Sequence, residues 1–199
     1  MRVRPAKIDS APATIREILP GVFHWTALHE SIGVCVSSYY VEPVGALIDP
    51  LVPDDGLDAF AGLERLQQVV LTSAHHARHA NRFAAAFGCA IRASREAAQR
   101  LGDSLDVRSY SHGDEIAPAI TAFEIGKLSG DEGALHVAID DGTIVFADGL
   151  NRYGDTLGFF ADELLGDDPA SVKIGLSSRH SGGCLSVTSI ICCSLMASR

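Results

Sequence analysis

The chain has 199 residues, 47% of them hydrophobic and 21% charged, which excludes wholesale disorder and suits one folded domain. Acidic residues outnumber Lys and Arg by 25 to 16, and the resulting net charge of −9 disfavours nucleic acid and anionic membranes as main partners. No stretch reaches the ~18 apolar residues of a membrane-spanning helix. Residues 1–10 are not followed by an apolar segment, so we expect a cytoplasmic protein without a signal peptide.

The first part of the chain is predicted to form a β-meander. Three short runs are rich in β-branched and aromatic residues, and each is bounded by Gly or Pro, which is typical of strands. These runs cover residues 17–25, 33–41 and 45–50. In a meander, strands that follow one another in sequence pair with one another.

The period of the apolar residues changes after residue 55. Apolar side chains then recur at three- and four-residue steps, which predicts a helix over residues 56–67. After it we expect a strand at 68–72, a helix at 81–87, a strand at 90–93 and a helix at 95–101. Alternation of helix and strand is typical of parallel pairing.

Strand patterns return in the second half of the chain. They cover residues 106–109, 120–125, 134–139 and 143–147. Asp140-Asp141-Gly142 predicts a tight hairpin turn between the last two strands. Helices are expected at 159–165 and from Pro169 onward. This order fits two sheets packed face to face with helices outside them, in a domain over residues 17–176 that follows an N-terminal extension, residues 1–16.

Residues 177–199 differ from the rest of the chain. They contain 7 of the 18 serines and 3 of the 5 cysteines, and no Asp or Glu occurs after Asp168. A change of reading frame would explain this composition. Codons for residues 188–197 permit the shifted sequence Leu-Asp-His-Leu-Leu-Leu-Ala-His-Gly, which reads as a strand ending in His-Gly. The alternative is a genuine flexible tail rich in serine.

Three histidines follow the strand predicted at residues 68–72. They are His75, His76 and His79, and a helix follows them. Imidazole suits zinc and iron, and a loop at the end of a strand can bring several ligands together. The spacing therefore indicates a metal site, with ordinary polar surface residues as the alternative.

Four landmarks, in their order and spacing, make the chain resemble the metallo-β-lactamase-fold hydrolase family over about residues 17–176. They are Leu19-Pro20-Gly21-Val22-Phe23, Leu47-Ile48-Asp49-Pro50, Val70-Leu71-Thr72 before the histidines, and Ile144-Val145-Phe146-Ala147-Asp148-Gly149. The resemblance implies an α/β fold, the αβ/βα four-layer sandwich, here with an incomplete C-terminal part. The shifted-frame His-Gly looks like the closing strand of the family, which carries its last metal ligand.

The family's metal motif, T-H-x-H-x-D-H, is degenerate in this chain. Without a gap only His75 falls on a ligand position. With two residues inserted, His75 takes the first His position and His79 that of the Asp. Lys127 stands where the family has its next ligand. Asp148 corresponds to the bridging Asp, and Asp49 resembles the Asp that supports the metal loop from behind.

The resemblance also implies roles for these residues. The candidate metal ligands are His75, His76, His79 and Asp148, with Asp148 also as the candidate catalytic residue. This set allows at most one zinc or iron ion, or none. The first hypothesis is metal-dependent hydrolysis of a small ester or thioester, with activity reduced or lost, since a bound ion activates water and polarises the scissile bond. The alternative is a catalytically silent binding or scaffold relative.

Overall fold

Two β-sheets form the centre of the protein. The structure, a computed structural model, describes residues 15–63, 65–125, 129–140, 142–153, 156–159, 162, 165, 168–178 and 189–192. The sheets pack face to face, and helices cover their outer faces.

The first sheet has seven strands in chain order. They are β1 (Arg16–Leu19), β2 (Val22–His29), β3 (Val34–Val41), β4 (Ala46–Ile48), β5 (Gln68–Val70), β6 (Ala90–Ser94) and β7 (Val107–Tyr110). Strands β1 to β4 are antiparallel, and β4 to β7 are parallel. The predicted meander and the predicted parallel segment are both confirmed.

The second sheet has five strands in the order β14-β11-β10-β9-β8. Its strands are β8 (Glu115–Ala117), β9 (Ile120–Glu124), β10 (Gly133–Val137), β11 (Thr143–Phe146) and β14 (Ser189–Cys192), while β12 (Asn151–Tyr153) and β13 (Thr156–Gly158) pair separately. The hairpin predicted between β10 and β11 is confirmed, with Leu135 opposite Val145. Strand β14 lies parallel to β11, so the frame as translated supplies a strand at this position.

The α-helices are α1 (Ala80–Phe87), α2 (Arg95–Leu101) and α3 (Pro169–Ser178). Helices α2 and α3 begin at the predicted residues, and α1 begins one residue before its predicted start. The Ser94 hydroxyl accepts the backbone N–H of Ala97 at 3.1 Å, which caps the start of α2. Among the residues with described coordinates, no helix is long and apolar enough to cross a membrane.

The helix predicted over residues 56–67 is wrong. Among the described residues of this range, only Leu57–Phe60 forms a helix, and it is of the 3-10 type. Gly56, with a φ of +76°, and Gly62 flank it, and glycine disfavours continuation of an α-helix. The apolar spacing still predicted burial correctly, because Phe60 is fully buried and the neighbouring leucines pack against the same cluster.

Alternation along the strands produces one core between the sheets and another beneath α1 and α2. On β5, Val70 belongs to the cluster between the sheets, with Leu135 and Val145, whereas Val69 belongs to the cluster beneath the helices, with Phe83. Both cores are closed to solvent at these positions.

A third cluster lies on the outer face of the second sheet. There Phe146 and Ala134 pack with Val172 of α3. The layers therefore run helix, sheet, sheet, helix, which confirms the four-layer αβ/βα sandwich.

Some predictions fall on residues outside the described part of the chain. The helix expected at 159–165 lies largely there, and so does Lys127. The hypothesis of a reading-frame change depends mainly on residues 179–188 and 193–199, which are outside it as well.

Candidate active site

The histidine loop lies where the parallel strands of the first sheet end. After β5, residues 74–76 form a short 3-10 helix, and the Ser73 hydroxyl accepts the backbone N–H of His75 at 3.3 Å at its start. Asp49 directly follows β4, and Asp148 follows β11 in the second sheet. Side chains at the carboxyl ends of neighbouring strands gather at one edge of the fold.

His76 lies between two aspartates. Its Nδ1 is 2.8 Å from an oxygen of Asp49, and its Nε2 is 3.1 Å from an oxygen of Asp148. The Asp49 carboxylate also accepts the backbone N–H of Thr72 at 2.8 Å and the Thr72 hydroxyl. Because a carboxylate lies against each ring nitrogen, we expect both nitrogens to carry protons and His76 to be an imidazolium.

The charges of this group stabilise one another. Burial lowers the pKa of His76, but the fields of Asp49 and Asp148 outweigh it and raise that pKa from 6.5 to about 9. Burial in turn raises the pKa of both carboxyls, yet the positive charges of His76 and Arg78 hold the two pKa values below their usual range. Both aspartates are therefore ionised together with the imidazolium near neutral pH.

Arg78 ties two strand ends together beside this group. One guanidinium nitrogen donates to the main-chain oxygens of Ser37 and Asp49, both at 2.7 Å. The φ of Arg78 is +38°, in the left-handed region that residues other than glycine rarely adopt. The contacts thus hold the loop in a conformation that its backbone alone would disfavour.

Asp131 fixes the start of the histidine loop. One of its oxygens accepts the Ala74 N–H at 2.7 Å and the Ser73 hydroxyl at 3.1 Å, and the other accepts from Arg100 and Ser129. Burial raises the pKa of Asp131, but these donors outweigh it and lower the pKa to about 2. The carboxylate thus joins the loop to α2 and to the segment before β10.

Glu132 supports the other side of the site. Its side chain is buried, and its Oε1 accepts the backbone N–H of Asp148 at 3.0 Å. Asp131, Glu132 and Arg100 were not predicted from the sequence. The signal that could have found the first two is the adjacent acidic pair placed directly before an apolar strand, because such residues lie at a strand end.

Solved structures identify the fold, although no family profile and no curated protein sequence matches the chain. DIM-1 metallo-β-lactamase exposed to ceftazidime has a TM-score of 0.69 at 14% identity, covering 94% of this chain and 90% of that one. The chain has the metallo-β-lactamase fold. A metallo-β-lactamase from Erythrobacter litoralis with β-mercaptoethanol in its active site gives 0.64 at 14% identity, with 94% and 92% covered. A β-lactamase domain protein from Burkholderia ambifaria gives 0.62 at 14%, with 93% and 72% covered.

Within this metallo-β-lactamase fold, the three histidines have different surroundings. His76 faces Asp148, as described above. His75 Nε2 lies 2.9 Å from a guanidinium nitrogen of Arg100. His79 Nδ1 accepts the Val52 N–H at 3.0 Å, and burial lowers the pKa of His79. The structure therefore brings His76, Asp148 and Asp49 together, and places His75 and His79 in other hydrogen bonds.

A metal ion needs several converging donors, and the described residues do not provide them. Catalytic zinc generally has three protein ligands and an open position. Within the described ranges no group of three or more His, Cys, Asp and Glu side chains could hold an ion. Near Asp148 the donor set is one imidazole nitrogen, already protonated, and one carboxylate, so these residues do not fit the metal that the fold implies.

Asp131→Asn is expected to lower the free energy of unfolding by about 1–3 kcal/mol, because buried donors lose a charged acceptor and Arg100 loses its ion pair. Urea denaturation measures this change. Asp54→Asn is the matched control, since Asp54 is exposed, and it should change stability by no more than about 0.5 kcal/mol. An equal effect of the two substitutions would contradict the role assigned to Asp131.

Proposed function

We propose that this protein is a catalytically silent relative of the metallo-β-lactamase-fold hydrolases, with a binding or scaffold role. One observation carries the proposal. The Nε2 of His76, the imidazole nitrogen nearest Asp148, is in an ion pair with that carboxylate. An imidazolium nitrogen has no lone pair to offer a metal ion.

The ion pairs give this part of the protein a structural role. His76 connects the residue after β4 with the end of β11, while Asp49 also binds the first residue of the loop, Thr72. The ends of β4 and β11, which belong to different sheets, are thus held together by charged hydrogen bonds. Such bonds are stronger than neutral ones.

The solvent exposure of Asp148 and the net charge of the chain favour a small ligand over a nucleic acid. The Asp148 side chain is 30% exposed, so the ion-paired group is reached from solvent on that side. With a net charge of −9, the chain repels polyanions. We therefore propose a small molecule as the binding partner and neither nucleic acid nor a membrane.

A second candidate is metal-dependent hydrolysis of an ester or thioester with one zinc or iron ion. The Asp49–His76 hydrogen bond favours it, because a carboxylate behind a histidine is the arrangement that orients metal-ligating imidazoles. The solved neighbours that carry the name metallo-β-lactamase favour it too. This candidate requires His76 to lose a proton and Asp148 to move to a shared ion.

Metal content and turnover separate the two candidates. We expect the full chain, grown with added zinc and then dialysed, to retain far less than one zinc or iron ion per chain by atomic emission. Its turnover of a p-nitrophenyl ester and of a thioester should equal that of the His76→Ala variant. A stoichiometric ion that His76→Ala loses, together with turnover that falls in parallel, would contradict the silent role. His75→Ala and His79→Ala serve as the matched variants.

A further inference from the structure

A cavity opens on the first sheet at the starts of β6 and β7. Its volume is about 450 Å³, and pockets that hold small ligands typically measure about 300–1,000 Å³. Ala90, the first residue of β6, and Asp106, the residue before β7, both line it. Strands β5, β6 and β7 are parallel, and the histidine loop follows the end of β5. The cavity therefore lies at the opposite end of these strands from the candidate active site.

The inner wall of the cavity is apolar. Cys89 and Ile91 line it and are buried. The half-buried side chains of Ala84, on α1, and Leu105 contribute to the same wall. Burial raises the pKa of the Cys89 thiol to about 11, so the thiol is uncharged near pH 7. The wall therefore suits an aliphatic group, which gains free energy when it leaves water.

Two opposite charges line the same cavity without forming a pair. Asp106 and Arg108 are both exposed residues of its lining. Within the part of the chain that the structure describes, neither side chain has an ion pair or a hydrogen bond. They therefore offer a carboxylate that accepts and a guanidinium that donates to one and the same ligand.

A second arginine adds positive charge beside Arg108. Arg92 is paired with Arg108 in the ladder between β6 and β7, so the two residues share one face of the sheet. The Nε of Arg92 is buried, and no described residue accepts a hydrogen bond from it. Like charges at neighbouring positions repel each other. An anionic group bound by Arg108 lowers this repulsion, which favours a ligand with a carboxylate.

We propose that this cavity binds a small zwitterion with an aliphatic side chain, that is, an aliphatic α-amino acid. Its carboxylate pairs with the Arg108 guanidinium, its ammonium group pairs with the Asp106 carboxylate, and its side chain packs on the apolar wall. A ligand with a single charge leaves one of the two protein charges unpaired, whereas a zwitterion satisfies both. The site is separate from the His76 group, so the proposal is independent of the metal-free function proposed above.

Binding of L-leucine to the full chain tests the proposal. Titration of the nitrogen-15-labelled protein, followed by NMR, should show saturable shifts of the Cys89 and Leu105 amide signals with a Kd of about 1 mM or below. Two analogues isolate the charges, because 4-methylpentanoate lacks the ammonium group and L-leucinamide lacks the carboxylate. Each should bind about tenfold more weakly than L-leucine, since one charged hydrogen bond is lost.

Substitutions at the two charged residues should separate their contributions. Asp106→Asn should weaken L-leucine binding about tenfold without weakening that of 4-methylpentanoate, which has no ammonium group to lose. Arg108→Gln should weaken L-leucine binding to the same extent without weakening that of L-leucinamide. Because both residues are exposed, the fold should persist. Asp103→Asn and Arg82→Gln, at exposed residues outside the cavity lining, are the matched controls and should leave all three affinities unchanged.

Ala84→Leu tests whether the ligand lies in the cavity. The larger side chain fills part of the space beside the apolar wall, and leucine is a strong helix former, so α1 should persist. We expect it to weaken the binding of L-leucine and of both analogues. An unchanged affinity for L-leucine would place the ligand elsewhere and overturn the proposal.

Three further results overturn the proposal. The first is the absence of saturable L-leucine binding to the natural chain. The second is equal affinity for L-leucine and its two analogues, because the two charges then recognise nothing. The third is an equal loss of L-leucine affinity in Asp106→Asn and Asp103→Asn, because the effect then belongs to net charge and not to the cavity.

Discussion

Asp49→Asn is expected to lower the free energy of unfolding by about 3–5 kcal/mol, the range for removing one partner of a buried ion pair. The Asp49 side chain is fully buried and accepts from Thr72 and from His76. Asn offers one oxygen in place of two and turns an N–H₂ toward groups that are themselves donors. Chemical denaturation followed by circular dichroism measures the loss.

Asp148→Asn and Asp58→Asn are the controls for this substitution. Asp148 pairs with the same imidazolium, but its side chain is 30% exposed, so water replaces part of what is lost and the effect should be smaller. Asp58 is exposed, so its substitution should have little effect. If Asp49→Asn were no more destabilising than Asp58→Asn, the buried ion pair would not support the fold.

The stability of the protein should fall as the pH rises from 6.5 to 9. His76 has its pKa raised from 6.5 to about 9 in the folded state. A raised pKa means that the folded state binds the proton more tightly, so this contribution is fully present below pH 6.5 and is lost as the pH passes 9. By linkage the loss attributable to His76 amounts to about 3 kcal/mol.

His76→Gln isolates this pH dependence. Burial raises the pKa of the Cys89 thiol to about 11. This thiol and the other titratable groups are common to both proteins, so the difference between their stability curves belongs to His76. We expect the difference to shrink as the pH rises, and a difference independent of pH would contradict the ion-paired state. At the acid end, the pKa values of Asp49 and Asp148 are lower in the folded state than in the unfolded chain. Their ionised forms therefore stabilise the protein at any pH above the unfolded-state pKa values. This contribution is lost as the pH falls through the folded-state pKa values.

The fold follows from the sequence because strand and helix periods are local. At β5, Val70 packs in one core and Val69 in the other. A strand buried on both faces appears in the sequence as a short continuous run of apolar residues, and this run was recognised. Errors arose where a local pattern has two backbone solutions. Residues 56–67 bury their apolar side chains through a 3-10 turn and irregular segments. Strand β8 (Glu115–Ala117) was not predicted because Gly113 and Asp114 before it and Pro118 after it are residues typical of turns.

The candidate site was only partly predictable from the sequence. The resemblance to the metallo-β-lactamase-fold family implied that Asp49, the three histidines and Asp148 belong to one site. It did not distinguish His76 from His75 and His79, because the 3-10 turn at residues 74–76 decides which ring faces inward. Nor did it reveal Asp131, whose partners lie on other elements.

The protonation of the His76 ring tests the account most directly. Nitrogen-15 NMR of the full chain, with ring nitrogens labelled and His76 assigned by His76→Gln, reports whether each nitrogen carries a proton. At pH 7 we expect Nδ1 and Nε2 of His76 both to be protonated, with signals that do not move when Zn²⁺ is added. An unprotonated Nε2 at pH 7 whose signal shifts on addition of Zn²⁺ would show a metal ligand there and contradict the account.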